Sequence, residues 1–121
     1  VYSLQVELYE TQGGRCPYIE FISSLPAKAQ AKCLKYVDLL EQEGLTLPAN
    51  YIKKISGTEN LWELRPEYGG NEYRFLFFEL NEEKVVIVHA IIKKDKKLRP
   101  RDIRLAQGRI KDYMEREGEN L

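Results

Sequence analysis

Hydrophobic and polar positions alternate over residues 2–9, with Leu4, Val6 and Leu8 interleaved among Ser3, Gln5 and Glu7. That is the two-residue period of a half-buried strand. Gly13 and Gly14 end the run, and the period then lengthens. Pro17 suits a first helical turn, and Ile19, Ile22 and Leu25 recur at a spacing that puts them on one face of a short helix. Pro26 restarts helical structure. Residues 27–43 are rich in helix formers, turn Leu34, Val37 and Leu40 toward a core, and stop at Gly44. The two helices are expected to form a hairpin packed on a sheet.

Beyond residues 45–50 the pattern is β. Short strands are predicted over residues 51–55, 61–65, 72–80 and 84–92, with turns at 57–60 and 81–83. Such short connections make sequence neighbours antiparallel. Pro100 then opens a C-terminal helix running to about residue 117, with Ile103, Ala106, Ile110 and Tyr113 as its apolar stripe. Gly108 interrupts that helix at a cost of about 1 kcal/mol relative to Ala, which predicts a frayed or closely packed spot. The expected class is α+β: a mainly antiparallel sheet, an N-terminal helical hairpin and a C-terminal helix.

The 121 residues suffice for one domain, residues 1–121, with a core that needs no disulfide or metal staple. Charge changes the picture more than size does. The chain has zero formal net charge, yet between Lys93 and Arg104 seven Lys and Arg face two Asp, a local charge of +5 that the remainder balances. A basic patch on an acidic body can hold phosphates at one place without coating nucleic acid indiscriminately, because its field is screened over about 10 Å. On charge alone, a solvated surface is an equally good reading.

Several chemistries fall away. His89 is the only histidine, and with Cys16 and Cys33 far apart it forms no recognised zinc set; no calcium-loop or two-metal spacing occurs. There is no phosphate-cradling glycine motif, Gly69 and Gly70 marking only a turn, and no hydrolase triad context. The expectation is a protein without cofactor or metal. Both cysteines read as buried or half-buried thiols of a reducing compartment. No apolar run approaches a bilayer span and no signal-peptide pattern is seen, so the expected location is the cytoplasm, away from any membrane.

The segment over residues 61–113 reads LWELR, EYRFLFFEL, KVVIVHAIIKK and DKKLRPRDIRLAQGRIKDY, and the N-terminal half adds FISSLP and KYVDLLEQEGL. In this order and at this size the chain resembles the HigB-like, phage-derived branch of the RelE/ParE toxin superfamily. The resemblance covers nearly the whole chain. It implies a RelE-like fold and the toxin of a type II toxin–antitoxin pair. Its implied activity is that of a ribosome-dependent mRNA endonuclease, and its partners are the ribosome, mRNA and a neutralising antitoxin with a helix-turn-helix domain. Two alternatives stand beside it: a non-nuclease toxin that poisons gyrase, as in the ParE branch, and a degenerate module that only binds antitoxin or RNA.

Metal-free RNA cleavage uses the neighbouring 2′-hydroxyl as nucleophile, so the protein must take its proton, stabilise the phosphorane and protonate the leaving oxygen. For the phosphorane, Arg65 and Arg74 are expected at strand ends, facing a shared loop where two guanidinium forks could grip one phosphate. The resemblance places functional residues at Arg74 and at Lys93 or Lys94. For Arg65, a surface ion pair with Glu63 or Glu67 is the competing reading. The base has two candidates. His89 has a suitable ordinary pKa of about 6.5, but in an apolar strand a histidine packed and hydrogen-bonded across the sheet is the stronger reading. Glu63 is the other, at a position where some RelE relatives carry Lys, which puts their proton-transfer scheme in question here. Lys96, Lys97, Arg99 and Arg101 are candidate RNA-docking residues. Tyr73 and Tyr113 are candidate stacking platforms, although packing is the better prior for each, and Trp62 reads as a core anchor.

Overall fold

Alternation and helical periodicity place nearly every element. The computed structural model describes residues 3–117; Tyr2, where the first alternation begins, lies outside them. The chain forms β1 (Gln5–Leu8), α1 (Pro17–Ser23), α2 (Ala27–Glu43), a 3-10 turn (Gly44–Thr46), β2 (Ile52–Lys54), β3 (Trp62–Leu64), β4 (Glu67–Tyr68), β5 (Asn71–Asn81), β6 (Lys84–Lys93) and α3 (Pro100–Glu117). Among the described residues these strands make one sheet in the order β1-β6-β5-β3-β2, with β4 paired to the start of β5. The fold is α+β with a largely antiparallel sheet, as the sequence predicts.

Two features depart from the periodicity. The first strand joins the sheet edge in parallel with β6, so the helical hairpin runs from that edge to β2 at the opposite one. The turn at Gly69 and Gly70 carries an additional short strand: both glycines have positive φ, 60° and 83°, which permits the tight two-residue hairpin between β4 and β5. A side chain at either position would be strained whatever the space around it.

A core lies on each sheet face. Tyr73, Phe75 and Phe77 of β5 and Val85 and Ile87 of β6 pack under α1 and α2, whereas Leu76, Phe78, Val86 and Val88 pack under α3. Burying each large side chain contributes about 1.5–3 kcal/mol. In each of the first two helices one expected core residue gives its place to the residue before it, while Ile22, Leu25, Val37 and Leu40 pack toward the core as expected. Ile19 and Leu34 are 46% and 48% exposed, while Tyr18 and Cys33 point inward. The cause in α1 is the Tyr18 ring, which meets Phe75 edge-on at 5.1 Å; in α2 the buried row is Ala29, Cys33 and Leu40, one position ahead of Leu34. Burial pushes the Cys33 thiol up to about 11. Trp62 is half-buried and stacks on Phe77 at 6.4 Å, at the rim of the core.

The third helix is fastened at both ends. Near its C-terminus the Tyr9 hydroxyl donates to Asp112 Oδ2 at 2.6 Å and Arg116 donates to the same oxygen at 2.7 Å. Arg116 first and Tyr9 second hold the Asp112 carboxyl at about 2. Gly108 contradicts the expected frayed or tight spot: the helix runs through it, it is exposed, and a Cβ there meets nothing within 4 Å. Gly108→Ala should therefore stabilise the protein by about 1 kcal/mol in urea denaturation, and a loss of stability would mean a packing constraint at this face.

Candidate nucleic-acid interface

A bulge in β6 sets which residues reach the site. Leu76 pairs with His89 but Phe77 pairs with Ile87, so Val88 is an extra residue. Val85 and Ile87 before it pack under α1 and α2, and Ala90 and Ile92 continue that row after it. The one-residue shift turns His89 and Lys93 to the side of α3 and the 94–99 loop.

That loop separates two clefts of about 440 Å³ each. The cleft toward β2 and β3 is lined by Lys53, Lys54, Arg65, Lys93, Lys96 and Lys97, with Glu63 as its one acid. The cleft toward α1 is lined by Phe21, Lys94, Arg99 and Arg101, and shares Lys93 and Lys97 with the first. Asp95 and Asp102, its acids, are already paired with Arg99 and His89 at 2.9 Å. Positive charge at close quarters without matching acids attracts a polyanion.

Arg74 is not at a strand end. It lies within β5, is 1% exposed, and donates to the Tyr73 carbonyl at 2.8 Å and to Glu72 at 2.9 Å. Arg65 follows β3, donates to the Ala49 carbonyl at 2.7 Å and has its Nε 3.3 Å from Glu63. The Glu63 pair anticipated as the competing reading for Arg65 is thus present. Glu63 is 7% exposed, and its other oxygen lies 3.8 Å from Arg74 Nε. The arginines meet across a protein carboxylate rather than across an open loop.

His89 sits between sheet and helix, not across the sheet. Its Nε2 is 2.9 Å from Asp102 and its Nδ1 3.2 Å from Arg109, which also donates to the Val88 carbonyl at 2.9 Å. Because Arg only donates, Nδ1 accepts and Nε2 carries the proton toward Asp102. Burial, opposed by Asp102 and aided by the Arg109 charge, holds the ring below the usual histidine range. The unfolded chain therefore takes up the proton first as pH falls. His89 supports stability above its unfolded pKa of about 6.5, and that support is lost as pH drops through the lower folded value. Wild-type stability should fall between pH 7.5 and 5.5 more than that of His89→Gln, and equal pH dependence in the two would remove His89 from this linkage.

The remaining candidates divide. Lys93, Lys94, Lys96, Lys97, Arg99 and Arg101 gather around the two clefts as expected. Tyr73 does not: it is 2% exposed in the opposite core, edge-on to Phe21, and has no free face for a base. Tyr113 is buried against Phe78. Sequence reasoning missed Lys53 and Lys54, which the antiparallel pairing of β2 with β3 sets beside Glu63 and Trp62, and Arg109 and Asp102, which fix His89. The adjacent lysines of β2 were visible as a signal, but only the strand pairing joins them to the loop.

The fold is RelE-like. A solved neighbour is the archaeal RelE–RelB complex from Pyrococcus horikoshii OT3, at 20% identity and a TM-score of 0.50, covering 74% of this chain and 94% of that one. The family described as Phage derived protein Gp49-like (DUF891) matches residues 20–111, from α1 well into α3, and the chain belongs to that family. No curated protein sequence matches it.

Proposed function

We propose that this protein is the toxin of a type II toxin–antitoxin pair, of the HigB-like branch, and that it cuts mRNA on the ribosome without a metal. The observation that carries this reading is the cleft where Lys53, Lys54, Arg65, Lys93, Lys96 and Lys97 surround a single acid. Cations set around a phosphodiester stabilise the charge that develops on the phosphorane. Proton transfer has no free protein base in this cleft, since Glu63 is engaged by arginines and His89 by Asp102 and Arg109. The ribosome then supplies the orientation that makes the 2′-hydroxyl reactive, a contribution of about 7–11 kcal/mol when alignment is good. RelE was solved in complex with RelB; by analogy a small antitoxin with a helix-turn-helix domain neutralises this chain, which acts as one domain in the cytoplasm.

Purified protein is expected to cut free RNA slowly or not at all and to cut mRNA in the decoding site of programmed ribosomes. The products should end in a 2′,3′-cyclic or 3′-phosphate, and cleavage should persist in EDTA. Intact mRNA on ribosomes together with inhibited gyrase supercoiling would replace this reading with a gyrase poison.

A further inference from the structure

The floor of the lysine-lined cleft holds an unusual arrangement. Glu63 lies between the Nε atoms of Arg65, at 3.3 Å, and Arg74, at 3.8 Å, and both Nε–H groups are buried without a hydrogen bond. Buried donors are nearly always satisfied, so two orphans converging on one carboxylate mark a place where the native partner fits poorly. A carboxylate has two oxygens in one plane. A tetrahedral phosphate presents oxygens in more than one direction and uses the same guanidinium donors.

Resting on the RNA-cleaving reading of the cleft, we propose that this floor is a phosphate seat which the chain's own Glu63 carboxylate occupies, and that an incoming phosphodiester displaces it from the Nε–H groups of Arg65 and Arg74. The surroundings accommodate the exchange. Lys53 is the cross-strand partner of Glu63, is exposed, and forms no ion pair among the described residues, so it can receive the displaced carboxylate. Lys93 and Lys97 in the cleft wall offset the second negative charge. Arg74 keeps Glu72 as a counterion throughout. The consequence is selectivity: an isolated phosphate must compete with Glu63, whereas a strand that also engages the lysines overcomes that competition.

Glu63→Gln retains the shape and an acceptor oxygen while removing the competing charge. By calorimetry it should bind inorganic phosphate about tenfold or more tightly than wild type, because like-charge juxtaposition at a binding surface is costly. Adding Arg65→Gln should abolish the gain. A folded Glu63→Gln that binds phosphate no better than wild type overturns the proposal. Should that variant fail to fold, the Arg65 and Arg74 Nε–H resonances of wild type give the answer during a phosphate titration: they should shift, and immobility while lysine signals move would overturn the seat. Short single-stranded RNA separates the two levels of inference. Equal, lysine-dependent RNA binding by wild type and Glu63→Gln removes the seat and leaves the RNA reading standing, whereas no RNA binding by either removes both.

Discussion

Replacing Arg74 by alanine is expected to destabilise the protein by about 3–5 kcal/mol, the range for breaking a buried ion pair from one side. The guanidinium is fully enclosed, spans the Tyr73 carbonyl and Glu72, and faces Glu63. Its loss leaves Glu63 buried with only Arg65, itself half-buried, as counterion. Arg74→Lys keeps the charge, but one ammonium cannot reproduce a planar fork directed at three oxygens, so it too should lower stability. Loss of toxicity in either variant is therefore evidence about phosphate contact only when urea denaturation shows a folded protein. A second substitution, Glu63→Gln in the Arg74→Met background, should recover part of the lost stability, since an uncompensated charge is then removed along with its former partner. A cost below about 1 kcal/mol for Arg74→Ala would mean that the site is solvated as a surface ion pair is.

The placement of Arg74 shows where periodicity stops being informative. The arginine that directly follows the EY of EYRFLFF sits near the predicted strand start, and exposure is the ordinary expectation for its type. In the structure β5 begins at Asn71 and pairs with β3, β4 and β6, so neighbours close over the guanidinium. Two helix positions depart from the periodicity for a related reason. Ile19 and Leu34 fit an apolar stripe, yet Tyr18 and Cys33 face inward in their place, and in α1 the Tyr18 ring packs edge-on against Phe75. Element bounds, by contrast, were legible almost to the residue. Pro17, Pro26 and Pro100 fix helix starts by backbone chemistry, and α2 spans Ala27–Glu43 as predicted.

Pairings between distant strands were not legible. The parallel contact of β1 with β6 and the extra residue Val88 appear only when the sheet is assembled. That bulge gives His89 its helix-side partners and sends Lys93 toward the clefts. For the same reason the local charge run showed Lys96, Lys97, Arg99 and Arg101 but not Lys53, which joins them through the pairing of β2 with β3. Charge density along a chain identifies a basic loop; the sheet identifies what the loop faces.

Lys93→Met should have the largest effect on activity, lowering mRNA cleavage on programmed ribosomes by about 10²–10³-fold, the usual loss when one preorganised charge-stabilising group is removed. Lys93 ends β6, is half-buried, and lines both clefts, so its ammonium is carried by the rigid sheet at the boundary a bound strand must cross. Lys94, Lys96 and Lys97 are exposed on the 94–99 loop. Their neutralisation should instead weaken ribosome binding, each reducing the salt dependence by about one counterion, with smaller changes in the rate at saturation. The contrast follows from where binding energy is realised: a group that acts mainly on the phosphorane changes the rate constant more than the affinity. Lys93→Arg should recover part of the rate by restoring the positive charge. Single-turnover cleavage and ribosome pelleting, run on the same variants, check both halves. Parallel losses of rate and binding in Lys93→Met would make Lys93 one more docking lysine and shift transition-state stabilisation to Arg65 and Lys53.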